Sequence, residues 1–303
     1  MTRIEAPMEA RIEPGTKDGE RAIRDLLVAH NAAAGWPSDR VPLELLLRGP
    51  GGEVAGGLVG RTAWRWLYVE NLVVAPALRG QGWGARLVAA AEAEARARGC
   101  VGIRLDTYDF QARPFYERLG FHVAGQIEDC PPGHTRFTLA KHLRPLPGRA
   151  VQGGVAGLAV TLTDGEGDPL VAVLEEGLTE HNRPFAGHHG YRPLNLSVRR
   201  EGEAAPLGGL TGYTLYGWLF VRLFHLPAAL RGAGLGARLL AAAEAEARAR
   251  GCVGAFLDTF AFQAPEFYRR QGYRPFGTLP DMPPGHARHF LMKRLDGETD
   301  VPT

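Results

Sequence analysis

A chain of 303 residues with 35 basic and 33 acidic side chains has a formal net charge of +2, which leaves no electrostatic footprint for nucleic acid or an anionic membrane surface. Hydrophobic residues make up 45% and charged residues 22%, so at about 150 residues per domain the length implies two domains, each able to bury an ordinary core. No apolar run reaches the roughly 20 residues of a membrane helix, and three scattered cysteines without a CxxC pair support neither a disulfide framework nor a zinc site, so no metal is expected.

From Met1 to Gly15 the chain carries Glu5, Glu9 and Glu13 and no apolar leader core, which points to a cytoplasmic protein. Glu20 to His30 sets Ile23, Leu26 and Leu27 at helical spacing, and Val41 to Arg48 and Glu53 to Arg61 read as strands joined at Gly51-Gly52. Trp64 to Val74, rich in aromatic and β-branched residues, is a further strand. Ala85 to Arg98 is a helix stopped by Gly99, with Glu92/Arg96 and Glu94/Arg98 as i,i+4 pairs on its wet face. Val101 to Asp106 returns as a strand, Pro114 to Leu119 is a short helix ended by Gly120, and Phe121 to Leu143 reads as a hairpin. The fold class is α/β, a mixed sheet with helices on its faces.

The pattern is written twice. Residues 79–143 align with 231–295 at a constant offset of 152, with 41 identities over 65 positions, and Ala89 to Gly102 is identical to Ala241 to Gly254. Upstream the repeat is weaker: His30-Asn31 matches His181-Asn182, and Gly56-Gly57-Leu58 matches Gly208-Gly209-Leu210. A period of that length is a domain duplication and not a solenoid. The expected domains are 1–147 and 154–297, joined by a linker at 148–153 within the proline- and glycine-rich stretch from Arg144 to Gly154.

Each copy carries a glycine turn between a strand and a helix: Arg79-Gly-Gln-Gly-Trp-Gly84 and Arg231-Gly-Ala-Gly-Leu-Gly236. Glycines let a backbone approach a ligand closely, and the free N–H groups of the following helix attract phosphate. A pyrophosphate-bearing cofactor is the physical expectation. One version is an NAD(P)-dependent oxidoreductase, because Gly80 to Ala85 satisfies GxGxxA and Asp106 follows about 20 residues later. Against it, Ala75 to Arg79 intervenes between the strand and the first glycine, and about 70 residues precede a turn that should open its domain.

The run Leu72-Val-Val-Ala-Pro-Ala-Leu-Arg-Gly-Gln-Gly-Trp-Gly84, then an alanine-rich helix, then Ala112-Arg-Pro-Phe-Tyr-Glu-Arg-Leu-Gly-Phe121 resembles the GNAT superfamily of acetyl-CoA-dependent N-acetyltransferases. Leu230 to Gly236 and Ala264 to Tyr273 repeat the resemblance. It implies two tandem GNAT-like domains with acetyl-CoA as cofactor and CoA as product. Arg79, Gly80, Gln81, Gly82, Trp83 and Gly84 would wrap the pyrophosphate, as would Arg231, Gly232, Ala233, Gly234, Leu235 and Gly236 in the second copy. The backbone of Val74, and of Leu226 in the second copy, would face the thioester or pantetheine, with Asp109 near it. Tyr116 and Tyr268 would protonate the departing thiolate, and Glu70 would help take a proton from the acceptor amine, which as an ammonium has no lone pair to attack with. His30, Asn31, His181 and Asn182 are candidates for lining the acceptor pocket.

The copies differ where the chemistry would be. Glu70 becomes Arg222, which is no base, Asp109 becomes Ala261, and Val73-Val74 becomes His225-Leu226. The first copy is therefore the expected catalytic one. The acceptor expected is a small-molecule amine or an exposed protein amine, with no nucleic acid or membrane partner, and the two copies are expected to pair as an internal pseudo-dimer. A non-catalytic acyl-CoA-binding module is the remaining alternative.

Overall fold

The computed structural model describes residues 10–33, 35–37, 39–49, 51–143, 159–163, 170–200, 203 and 205–297; the expected linker at 148–153 lies outside them. The first repeat forms β1 (Ala10–Pro14), α1 (Lys17–Ala33), β2 (Val41–Arg48), β3 (Val54–Ala63), β4 (Trp66–Val74), α2 (Trp83–Ala97), β5 (Gly102–Tyr108), α3 (Arg113–Arg118), β6 (His122–Ile127) and β7 (Arg136–His142). The second repeats that order as β8 (Ala159–Thr163), α4 (Leu170–Ala186), β9 (Arg192–Arg200), β10 (Gly208–Leu215), β11 (Trp218–His225), α5 (Leu235–Ala249), β12 (Gly254–Phe260), α6 (Pro265–Arg270), β13 (Arg274–Leu279) and β14 (Arg288–Arg294). The sequence reading misses β1 and β8, five residues each, and places most other ends within two or three residues.

All fourteen strands share one sheet, ordered β1-β9-β10-β11-β12-β14-β13-β6-β7-β5-β4-β3-β2-β8. The order reads the same from either end when repeat equivalents are exchanged, so a pseudo-twofold axis passes between β6 and β13. There Gly125 pairs with Gly277, and a β-carbon on Gly125 would stand 2.9 Å from the Gly277 Cα. Only glycine lets the backbones come that close. Each repeat also ties down a turn of the other: fully buried Trp66 donates from Nε1 to the Asp281 carbonyl at 2.8 Å, and Trp218 to the Asp129 carbonyl at 2.7 Å.

The outer edges are exchanged. β1 of the first repeat pairs antiparallel with β9 of the second, and β8 of the second pairs antiparallel with β2 of the first. Each helix follows its strand: α1 packs on β10 and β11, and α4 on β3 and β4. The weak Gly-Gly-Leu repeat makes room for them. A β-carbon at Gly57 would come within 2.7 Å of Leu170 Cδ1, and one at Gly209 within 2.6 Å of Ile23 Cδ1. Ile23, Leu170 and Leu174 are fully buried in these seats, each contributing about 1.5–3 kcal/mol by burial.

On the other side of the first half-sheet, α2 buries Trp83, Leu87, Val88, Ala91 and Ala95. The expected Glu94–Arg98 pair forms at 2.7 Å. Glu92, expected on the wet face, is buried instead, because Lys141 on β7 reaches it at 2.5 Å in addition to Arg96 at 3.3 Å. Cys100 and Cys252 are the small buried residues expected, and burial pushes the Cys100 thiol up to about 11.

Candidate active site

The site begins where two parallel strands part. β4 and β5 pair from Trp66↔Gly102 to Val69↔Leu105 and no further, so Glu70 to Val74 leave one edge open toward Asp106 to Tyr108. At the parting point β4 carries a bulge. Val59 faces Asn71 and Gly60 faces Val69, leaving Glu70 as the extra residue. A bulge re-aims the side chain it carries, and Glu70 is turned into the cavity that fills the gap, where Arg61 forms an ion pair with it.

Past Val74 the chain makes one turn of 3₁₀ helix at Pro76–Leu78 and then the glycine turn. Arg79 braces this corner by donating from Nε to the Val74 carbonyl at 3.1 Å, and Gln81 donates to the Ala77 carbonyl at 2.8 Å. Gly80 and Gly82 take positive φ of 76° and 84°, the left-handed region that glycine enters without strain. A β-carbon at either would meet nothing within 4 Å, so the turn faces open space. None of the backbone N–H groups from Gly80 to Ala85 donates to another described residue. Free donors at the start of a helix, beside an open space, fit a pyrophosphate. The backbone of Trp83 belongs to this cradle, while its indole is buried in the core with the Arg86 guanidinium 4.4 Å from the ring centre.

Tyr116 on α3 closes the opposite wall. It is buried against Phe115 and Phe121, lines the cavity, and donates its hydroxyl to no described residue. Burial pushes its pKa well above the ordinary phenol value, so the proton is retained at neutral pH. Glu70, the open β4 edge, the glycine turn and Tyr116 therefore border one cavity of about 1680 Å³.

The exchange decides which helix covers this cavity. His181 and Asn182 on α4 line it, and Asn182 accepts from Gln111 Nε2 at 2.9 Å. His30 and Asn31 lie over the other half-sheet, where Asn31 accepts from Gln263 at 3.4 Å and the His30 ring sits 5.3 Å from His225. Asp109 is taken up by the hairpin loop: it accepts from His134 Nδ1 and from the Thr135 amide, both at 2.9 Å. Asp106, which a dinucleotide reading would set on a ribose, is held by Arg136 at 3.1 Å, Thr138 at 2.7 Å and Tyr68 at 3.1 Å. Burial alone would raise its pKa. Arg136 and then Arg104, with the two hydroxyls, hold it below the ordinary carboxylate range.

The cavity wall also holds what the sequence reading passed over. Nine arginines and four carboxylates line it, drawn from both repeats. Much of the charge sits on strand faces, at positions such as Arg61, Arg104, Arg136 and Arg288.

In the second repeat β11 parts from β12 after Val221↔Leu257, and the equivalent bulge carries Arg222, ion-paired with Glu20 of α1. The turn at Gly232 and Gly234 repeats the positive φ values and the open space, and Arg231 donates to the Leu226 carbonyl at 2.7 Å. The Ala233 and Leu235 positions complete this turn, with the Leu235 side chain buried. Tyr268 is buried beside Phe267 and, like Tyr116, is held protonated by burial. Neither Tyr268 nor this second turn borders the large cavity.

Each repeat matches a family of known proteins. The family model described as "Acetyltransferase (GNAT) family" matches residues 18–121 and 164–273. A blasticidin-S acetyltransferase of Streptomyces morookaense is 51% identical over 96 residues, 31% of this chain and 71% of that protein. An acetyltransferase of Agrobacterium fabrum is 45% identical over 124 residues, 41% of this chain and 90% of that protein. Among solved structures, an acetyltransferase from Bacillus cereus is 29% identical, covering 44% of this chain and 97% of its own, with a TM-score of 0.42. Among the described residues no helix is long and apolar enough to cross a membrane. With two family matches spanning most of the sequence, the chain belongs to the GNAT family as a tandem-repeat acyltransferase whose cofactor is acetyl-CoA.

Proposed function

We propose that the protein is an N-acetyltransferase that moves the acetyl group of acetyl-CoA to an amine by direct attack in a ternary complex, with the first glycine turn serving the working site. The observation that carries this reading is the meeting of four features in one cavity: the parted β4 edge, the open glycine turn, the bulged Glu70 and the protonated Tyr116. Acetyl-CoA supplies the activated acyl group. The amides from Gly80 to Ala85 hold its pyrophosphate, and the unpaired β4 backbone near Val74 offers a fixed donor where the carbonyl oxygen gains charge. Glu70, oriented by Arg61, takes a proton from the acceptor ammonium through water, which frees the lone pair for attack. Tyr116 gives its proton to the departing thiolate.

The working unit on this reading is a composite. It is built on β2 to β7 of the first repeat with α4 of the second over them, so that His181 and Asn182, not His30 and Asn31, line the acceptor side. The second glycine turn retains the features of a cofactor cradle, but with Arg222 in place of a base and no border on the cavity it is assigned binding without turnover.

Tyr116→Phe tests the mechanism. The expected result is unchanged acetyl-CoA affinity by calorimetric titration and turnover lowered about 10²- to 10⁴-fold. Turnover at the wild-type rate would remove Tyr116 from the chemistry. A stoichiometry near two acetyl-CoA per chain is expected, and a value near one that survives Gly234→Glu would show that the second cradle is vacant.

A further inference from the structure

We infer that the acceptor amine carries an anionic group, a carboxylate or a phosphate, that is received by Arg104 inside the cavity. This rests on the cavity being the acceptor site of an acetyltransferase, and deepens that reading by naming the substrate class.

Arg104 stands on β5 opposite Tyr68 of β4, one step before the strands part. It is 5% exposed. Its Nε has no hydrogen-bond partner, and its guanidinium makes no ion pair or hydrogen bond with any described residue, although it lines the cavity. The Tyr68 ring stands 4.0 Å from its guanidinium carbon and the Phe290 ring 6.0 Å. Other arginines around it are already matched: Arg136 to Asp106 at 3.1 Å, Arg288 to Asp258 at 2.5 Å, and Arg61 to Glu70. Burial and then the like charge of Arg288 hold the Arg104 guanidinium down to about 10. Burial, Arg40, Arg104 and Arg222 likewise lower Arg61. Arg104 feels Asp106 and Asp258 without an ion pair to either, so among the described residues this buried cation is left with no direct counter-charge.

Two further points narrow the ligand. Guanidinium presents a planar fork that matches carboxylate and phosphate oxygens two at a time. In the second repeat the equivalent position is Phe256, while Asp106/Arg136 and Asp258/Arg288 are kept in both. The unmatched arginine is therefore particular to the first copy, the one that holds Glu70. An acceptor anchored there by its anion would project its amine toward Glu70, two residues along β4 from Tyr68.

The test uses the full chain with both glycine turns filled by saturating CoA, so that added anions report on the remaining cavity. Inorganic phosphate and malonate are titrated separately by calorimetry into wild type, Arg104→Met and Arg104→Phe. Saturable binding by wild type and at least tenfold weaker binding by both variants is expected, with CoA affinity unchanged in all three. Equal anion binding by the variants, or none by wild type, overturns the inference. Loss of CoA binding by wild type would instead sink the acetyltransferase reading itself. A second arm compares amines in matched pairs, amino acids with their amides and phosphorylated amino alcohols with their parents, by thiol release from acetyl-CoA. Wild type should favour charged members at least tenfold and Arg104→Met should erase the preference, with the favoured series identifying carboxylate or phosphate. Equal turnover of both members, or no turnover of any charged member, overturns the acceptor assignment and would leave Arg104 as a site for free anions alone.

Discussion

Replacing Arg104 by methionine is expected to make the ligand-free protein more stable. A guanidinium held at about 10 instead of its ordinary value above 12 costs the fold ~3 kcal/mol at neutral pH, a figure that already includes its attraction to Asp106 and Asp258. Methionine fills a similar volume without charge and gives up only the contact with the Tyr68 ring, worth ~1 kcal/mol. The net gain is ~2 kcal/mol, or about 4 °C in Tm for a cooperative unit of this size. The sign of the pH dependence is fixed. Because the folded chain holds this proton less tightly than the unfolded chain, the cost is complete at every pH below about 10 and is relieved only above it. The gain should therefore be equal at about pH 6 and about pH 8, as read by differential scanning calorimetry on protein stripped of CoA. A lower Tm for Arg104→Met would mean that the arginine is bound by the protein's own groups, and the case for an external counter-charge would collapse.

Three other outcomes follow from the geometry. His225 is held neutral down to about 4 by burial, then by His30 and Arg231, whereas the unfolded residue takes up its proton near ~6.5. Stability should thus fall as pH drops from about 6.5 to about 4, and His225→Val, which installs the residue found at the equivalent Val73, should flatten that limb in urea titrations. At Gly82 alanine must adopt φ near 84°, costing ~1 kcal/mol, and it puts a methyl group into the open space over the turn; a small loss of Tm with a tenfold or greater loss of CoA affinity is expected, and unchanged affinity would remove this turn from the cofactor site. Finally, residues 1–147 and 154–303 produced as separate chains in one cell should copurify as a one-to-one assembly, because each seats its first strand and helix on the other; independent elution from a sizing column would contradict the exchange.

Most single elements were legible because their determinants are local. Val41–Arg48 is found at its predicted limits, and the helix of identical residues in both copies needs only its periodicity and a following glycine. The glycine turns were legible for the same reason, since positive φ at Gly80, Gly82, Gly232 and Gly234 leaves few residues able to stand there. What stayed hidden depends on pairing across long separations. β1 and β8 have five residues each and acquire their identity from β9 and β2. The charged wall escaped notice because Arg61, Arg104, Arg136, Arg222 and Arg288 are scattered over more than two hundred positions and share a cavity only once the strands are assembled.

The exchange itself is invisible to pattern reading for a physical reason. Asn31 and Asn182 occupy equivalent places, and Gln111 and Gln263 do too, so a closed arrangement would form the same amide-to-amide bonds as the crossed pairs Gln111–Asn182 and Gln263–Asn31. Propensity, amphipathicity and the Gly-Gly seats are likewise the same in both arrangements. The difference lies in the connections after α1 and α4, where the copies have diverged. Trp36, just after α1, stacks on Phe262 at 5.3 Å, and Phe185, at the end of α4, stacks on the equivalent Phe110 at 5.2 Å, so each repeat is pinned to the same phenylalanine of the other by a different residue at a different place. If the first glycine turn serves the working site, part of its acceptor wall is encoded in the second repeat, and a second repeat without a base at position 222 still has to be kept intact. Identity concentrated in 79–143 and 231–295, with divergence in the segments that cross over, is the pattern such a division of roles would leave.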